Sequence, residues 1–240
     1  MATNFIDINR NVPNIHIHKH CRHIKEKEMI IEKLIKAINK VPNHYYETKN
    51  PKGKNGQIRD YAKKIVFPER NFCTNLYHHF SNEIEKKGSD LDKLDIGEKF
   101  FLDEEIYKKC SGTYLYDREQ FDKTLKELNI AKKGMRPDLV LHASQQENNN
   151  ERQLLILECK IDPNLKRKEF YADYFKLNIY KSELNFQNSV YLILNNIKNK
   201  ICKYLSDYKE KYWETPKGAI QILIKENSES EVSYIVSDNC

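Results

Sequence analysis

Apolar residues recur at helical spacing in five segments of the chain. In the segment 24–40 they are Ile24, Ile31, Leu34, Ile35 and Ile38, and the charged residues fall on the other face. A second helix is predicted to begin at Pro68, because the apolar residues from Cys73 to Ile84 share one face. The same spacing predicts further helices over 117–129, 165–181 and 198–213.

Shorter apolar or alternating runs predict strands at 99–107, 138–142, 153–160 and 189–194, although the first run also fits a helix. The last two strands enclose the helical segment 165–181, which is the β-helix-β arrangement that builds mixed sheets. Near the end of the chain, 219–225 and 231–236 flank the turn ENSES and predict a hairpin. We therefore expect an α/β fold, a mixed central β-sheet flanked by helices.

Two regions are expected along the chain. Residues 1–64 form an N-terminal helical extension followed by a basic loop, since the segment 45–61 combines proline and glycine with several lysines. Residues 65–240 form the α/β domain. A length of 240 residues suits one such domain with an extension.

Composition narrows the class of protein. The net charge of +6 suits a polyanionic partner without requiring one. No segment has the apolar length of a membrane span, and the first residues lack the pattern of a secretory signal, so we expect a cytoplasmic protein. The six cysteines include no CxxC pair, which in the cytoplasm favours free thiols.

Charged residues interrupt two apolar strands in a pattern that suggests chemistry. These strands lie within RPDLVLH at 136–142 and LLILECK at 154–160. Side chains alternate along a strand, so Glu158 and Lys160 share one side while Cys159 faces the other. If the polar segment 145–152 is the turn joining neighbouring strands, Asp138 lies opposite Glu158 and forms a carboxylate pair with it.

A carboxylate pair of this kind predicts a divalent metal site. Asp138, Glu158 and the backbone carbonyl of Cys159 would supply the hard oxygen ligands that Mg²⁺ or Mn²⁺ prefers. Lys160 would face the metal-bound water, either stabilising negative charge or helping to remove a proton. The ordinary alternative is a strand that leaves the core at Glu158 and a turn aspartate after proline.

These motifs resemble the PD-(D/E)xK nuclease superfamily, which has the restriction-endonuclease-like fold. The segment PERNFCTNLYHHF also resembles the first core helix of bacterial members, and the likeness covers roughly residues 65–197. The resemblance implies Mg²⁺-dependent hydrolysis of DNA, and Glu69 as a further metal ligand. Related sequences often have a second acid where this chain has Asn75, so Glu69 could instead be an acid favoured by the helix dipole.

Two further segments carry candidate binding residues. On the helix at 165–181, Lys166, Arg167, Lys168, Tyr171 and Tyr174 are candidates for nucleic-acid contact, and the tyrosines also for ordering the metal shell. The alternative is a helix that packs its aromatic residues on the sheet and leaves its lysines in water. The run IHIHKHCRH at 15–23 offers zinc-type ligands without a standard spacing, and its alternation fits a strand or an extended arm.

The expected function is therefore a Mg²⁺- or Mn²⁺-dependent DNA nuclease, with restriction or anti-phage defence in a bacterial cell as the expected setting and repair or mobile-element roles open. Two alternatives remain: an inactive relative that binds nucleic acid or protein, and a nuclease that acts on RNA. A homodimer is also open, since cutting both strands commonly uses two sites.

Overall fold

One mixed sheet contains six strands in the order in which they follow one another along the chain. The computed structural model describes residues 15–46, 68–85, 100–104, 118–130, 135–143, 153–214 and 218–236. The strands are β1 (Phe100–Glu104), β2 (Leu139–Ala143), β3 (Gln153–Lys160), β4 (Asn188–Leu194), β5 (Gln221–Lys225) and β6 (Ser233–Val236). Strands β3, β4 and β5 are parallel, and the outer pairs on both sides are antiparallel.

Five α-helices accompany the sheet in these described residues. They are α1 (Ile15–Lys40), α2 (Pro68–Ile84), α3 (Arg118–Leu128), α4 (Arg167–Leu184) and α5 (Lys198–Lys211), with a short 3-10 helix at Asn43–Tyr45. The predicted helices, the strands, the β-helix-β unit and the terminal hairpin are confirmed, with most ends shifted by a few residues and the start of α1 lying nine residues before the predicted one. The α/β fold with a mixed sheet is confirmed as well.

For the histidine-rich segment 15–23, the prediction of a strand or an extended arm is wrong. It belongs to α1, which begins at Ile15. A helix already formed over 24–40 extends at little cost, because each added residue gains a backbone hydrogen bond without a new nucleation step. The alternation at 15–18 is too short to outweigh that gain. The side chains of this segment, and the loop residues 47–61, lie outside the described residues.

The sheet separates two cores, which we call the α2 face and the α4 face. On the α2 face, β3 and β4 contribute Leu155, Leu157, Cys159, Val190, Leu192 and Leu194, covered by α1 and α2. The next residues along, Ile156, Tyr191 and Ile193, lie on the α4 face under α3, α4 and α5. The alternation of these residues between the clusters follows from the two-residue period of a strand.

Helix α4 joins β3 to β4 and is buried over most of its circumference. Its rings pack in a continuous aromatic layer: Phe170 stacks on Tyr174 and on Tyr191, with ring centroids 5.7 and 5.3 Å apart. The residue that follows the helix, Asn185, has a φ of 56° and is left-handed. Within the described residues, no helix combines the length and the apolarity needed to cross a bilayer.

Candidate active site

The first residue of β2 pairs with β3 three residues before β3 ends at Lys160. Leu139, the first residue of β2, lies opposite Leu157. The N–H of Asp138 donates to the carbonyl of Leu157 at 3.0 Å, which places Asp138 opposite Glu158. The prediction that the two strands are antiparallel neighbours is therefore confirmed, and the charged residues lie at one end of the sheet.

Beyond the first residue of β2, the carboxylate of Asp138 is hydrogen-bonded to the backbone of β3. Its Oδ2 accepts a hydrogen bond from the N–H of Cys159 at 2.7 Å. The C=O of a strand residue points to the same side as its N–H, so the carbonyl of Cys159 is directed past the end of β2 as well. Burial raises the pKa of Asp138 to about 6, although the Cys159 N–H and Lys160 act against it.

Glu158 is a buried acid with one unsatisfied oxygen. The residue is 2% exposed, and its Oε2 accepts a hydrogen bond from the ammonium of Lys176 at 3.0 Å. Its Oε1 is buried without a hydrogen-bond partner. Burial raises the pKa of Glu158 well above its usual range, Lys176 lowers it, and Asp173 and Asp138 raise it further. A buried carboxylate oxygen with no partner is costly and favours a cation beside it.

Lys160 reaches two acids from different helices. Its ammonium lies 2.8 Å from Oε1 of Glu69 and 3.5 Å from Oδ2 of Asp173. Burial by itself lowers the pKa of Lys160, but Asp173 and Glu69 more than reverse this and raise it above the usual value. Lys160 is therefore an ammonium at neutral pH and cannot accept a proton from water in this arrangement.

Glu69 lies in the first turn of α2, as expected, and its carboxylate is directed to the site. Helix α2 packs on the α2 face, whereas the side chain of Lys160, like that of Glu158, lies on the α4 side of β3. Glu69 and Lys160 can still contact each other because β2 does not extend beside this last part of β3. Asn75 plays no part in this contact, since its amide donates to the carbonyl of Asn71 at 2.9 Å.

Two charged residues of α4 that the sequence analysis did not single out complete the site. Asp173 is 6% exposed, and its Oδ1 lies 2.6 Å from the ammonium of Lys176. The hydroxyl of Tyr191 donates to its Oδ2 at 3.3 Å. Asp173 and Lys176 are charged residues interspersed among the aromatic core residues of the helix. That irregularity is the feature of the sequence that could have identified them as candidate site residues.

These residues form what we call the carboxylate–lysine cluster. Its members are Glu69, Asp138, Glu158, Lys160, Asp173 and Lys176. It brings together Asp138, Glu158 and Lys160, the three residues at the centre of the sequence prediction. Four of its side chains are acids and two are ammonium groups.

The tyrosine candidates on α4 lie elsewhere. Tyr171 is 7% exposed and Tyr174 is fully buried, so both belong to the aromatic layer. The hydroxyl of Tyr174 donates to Oε1 of Glu214 at 2.6 Å. The packing alternative therefore describes these tyrosines in this structure, because a buried ring presents no face to a polynucleotide.

The basic candidates at the start of α4 are on the surface. Lys166, Arg167 and Lys168 are exposed. Arg167 lies 3.1 Å from Asp207 of α5, and its guanidinium lies over the ring of Tyr204 at 5.6 Å. Helices α4 and α5 begin after the carboxyl ends of the parallel strands β3 and β4, which is also the end of the sheet where the cluster lies.

The cluster suits a hard divalent cation in the chemistry of its donors. Asp138, Glu158 and the Cys159 carbonyl offer oxygen atoms, and Oε1 of Glu158 has no other partner. Among the described residues, however, no three acid, histidine or cysteine side chains are grouped so as to hold an ion. The lysines lie among the carboxylates instead, so the ligands would have to rearrange around an ion.

Function has to be inferred from this geometry. Comparison of the chain with protein-family models, with curated proteins and with solved structures finds no match.

Proposed function

We propose that this protein is a metal-dependent nuclease of the PD-(D/E)xK type, with a restriction-endonuclease-like core, that hydrolyses phosphodiester bonds in DNA. One observation carries the proposal: Glu158 presents a buried oxygen without a partner at the strand end where Asp138 stands opposite. A hydrolytic metal site needs such converging oxygen donors. The segments 68–84 and 153–160, which carry part of the sequence resemblance, form a helix and a strand.

Four residues of the cluster, and the backbone carbonyl of Cys159, have roles in this proposal. Asp138, Glu158 and the Cys159 carbonyl would hold Mg²⁺ or Mn²⁺, with Glu69 as a further ligand. A bound divalent ion supplies Lewis acidity and lowers the pKa of a coordinated water. Lys160, which stays an ammonium beside Glu69 and Asp173, stabilises the negative charge that develops on the phosphate oxygens.

The polynucleotide would approach over the starts of α4 and α5. Exposed Lys166, Arg167, Lys168, Lys198 and Lys203 lie on these two segments. Positive charge next to the cluster would attract the phosphate backbone and offset the negative charge of the acids. Contacts of this kind read backbone and not sequence, so they predict binding that weakens steeply with added salt.

A substrate panel tests the proposal directly. Purified protein is incubated with plasmid, linear duplex, single-stranded DNA and RNA, in Mg²⁺ and in EDTA. We expect cleavage of DNA in Mg²⁺ and none in EDTA. Cleavage of RNA alone would keep the chemistry and change the substrate, whereas intact nucleic acids in every metal-containing reaction would refute the nuclease proposal.

The second candidate function is an inactive relative that binds nucleic acid. The contact of Lys176 with Glu158 favours it, because an ammonium already neutralises the acid that an ion would need. This candidate predicts that DNA shifts on a native gel in EDTA as strongly as in Mg²⁺ and is recovered uncut from both reactions.

A further inference from the structure

Lys176 occupies the position next to the most buried acid of the cluster. Its ammonium is 3.0 Å from Oε2 of Glu158 and 2.6 Å from Oδ1 of Asp173. Glu158 and Asp173 are both buried, and the side chain of Lys176 retains 17% of its exposure. One ammonium therefore bridges two carboxylates, in the way that a small cation would.

The charges of the cluster do not balance. Its acids are Glu69, Asp138, Glu158 and Asp173, and its bases are Lys160 and Lys176. With every group ionised, four negative charges meet two positive ones. The excess equals the charge of one divalent cation, and within the cluster Oε1 of Glu158 is buried with no hydrogen-bond partner.

We propose that Lys176 is a built-in counter-ion that competes with the divalent cation for Glu158 and leaves it when the cation binds. This inference rests on the proposed nuclease function and concerns how its metal site is loaded. After leaving Glu158, Lys176 would still have an ionic partner, because Asp173 lies one helical turn before it. Its long, partly exposed side chain can move its head group by rotamer changes alone.

The competing role and a simple supporting role predict opposite results. If Lys176 competes with the cation, removing its charge leaves the acids with a larger negative field, and metal affinity increases. If Lys176 only holds Glu158 in place, removing it leaves a buried acid without a partner that takes up a proton, and metal affinity falls. The sign of the change therefore separates the two roles.

The experiment measures Mn²⁺ binding to the full chain without nucleic acid, from the electron paramagnetic resonance signal of free Mn²⁺. We expect Lys176→Met to bind Mn²⁺ about tenfold tighter than the wild type or better, since a positive charge a few ångströms from the ligands is lost. Lys176→Arg keeps the charge and should stay close to the wild type. Lys126→Met, an exposed lysine of α3, is the matched control and should also leave the affinity unchanged.

Unchanged or weaker Mn²⁺ binding by Lys176→Met would overturn the inference. Lys176→Gln, which retains a hydrogen-bonding head group, provides the same comparison if the methionine variant does not fold, as judged by circular dichroism. The wild-type cleavage assay separates the two proposals. Cleavage in Mg²⁺ without the affinity gain refutes only the counter-ion role, and the gain without cleavage of any substrate refutes only the nuclease.

Discussion

The two faces of the sheet are built from the same strands and differ in what they bury. The α2 face is largely apolar, with Lys225 as a buried exception, and its cysteines Cys73 and Cys159 are buried free thiols that contact each other. The α4 face buries aromatic rings together with the acidic side chains of Glu158 and Asp173. The α2 face thus mainly stabilises the fold, whereas the α4 face also holds ionisable side chains in a desolvated environment.

This difference explains why chemistry is confined to one end of one face. Burial of leucine on the α2 face sets the register of β2, β3 and β4, because a slip of one residue would expose the whole apolar set. That register fixes Asp138 opposite Glu158. The aromatic layer on the other face then excludes water from Glu158, and its desolvation raises the pKa of that acid.

The largest expected effect is on cleavage. Glu158→Gln removes a metal ligand, so DNA cleavage in Mg²⁺ should fall about a hundredfold or more. The free energy of unfolding should stay about the same, because the amide oxygen can still accept the hydrogen bond from Lys176, and Lys176 keeps Asp173 as its ionic partner. Glu210→Gln, an exposed acid of α5, is the control and should leave both quantities unchanged.

Gel assays and urea unfolding measure these two quantities on the same samples. Full cleavage activity in Glu158→Gln would contradict the assignment of the site. A large loss of stability without loss of activity would show that this face, too, is mainly structural.

A leucine on the α2 face should show the opposite pattern. Leu192 of β4 is fully buried, and Leu192→Ala should lower the free energy of unfolding by about 2 to 5 kcal/mol through lost burial and a residual cavity. Ile197→Ala, at a residue that is 59% exposed, should change it by less than about 0.5 kcal/mol. Urea unfolding provides the measurement, and equal losses in both variants would contradict the division between the faces.

Dependence on pH should sharpen the comparison. The pKa of Asp138 is about 6 in the folded protein and is higher than its ordinary value, so the folded state binds more protons between these two values. The stabilisation from the protonated acid is present at low pH and is lost as pH rises through 6. In metal-free buffer, the wild type should lose on the order of 2 kcal/mol relative to Asp138→Asn between about pH 4 and 7.

Urea unfolding of both proteins across this range measures the difference. Glu158, whose pKa is also raised, is present in both proteins, so the part of its contribution that does not depend on Asp138 cancels. A difference that stays flat, or that increases in favour of the wild type with rising pH, would show that Asp138 is not desolvated in the folded state.

The smallest expected effect concerns a buried tyrosine of the α4 face. Tyr174→Phe removes the hydrogen bond to Glu214 and should cost about 1 kcal/mol of unfolding free energy, with DNA cleavage unchanged. Thermal unfolding and a gel assay provide the two readouts. A loss of cleavage well beyond the loss of stability would restore Tyr174 as a residue that acts on the nucleic acid or on the metal shell.

Predictability from sequence differs between strands and helices. Strand alternation placed Glu158 and Lys160 on one side and Asp138 opposite, because a two-residue period leaves only two choices for each side chain. The rotation of a helix offers many more choices. The contacts of Asp173 and Lys176 therefore emerged only with α4 packed on the sheet, and the same packing buried Tyr171 and Tyr174.

The amino-acid sequence by itself predicted the helices, the strands and the mixed sheet and, for neighbouring strands, the pairing of Asp138 with Glu158, since these depend on local periodicity. Only the tertiary structure decided that Glu69 contacts Lys160 beyond the first residue of β2, and that Lys176 donates a hydrogen bond to Glu158. Those contacts join residues from different elements, and close packing in three dimensions, not spacing along the chain, sets their distances.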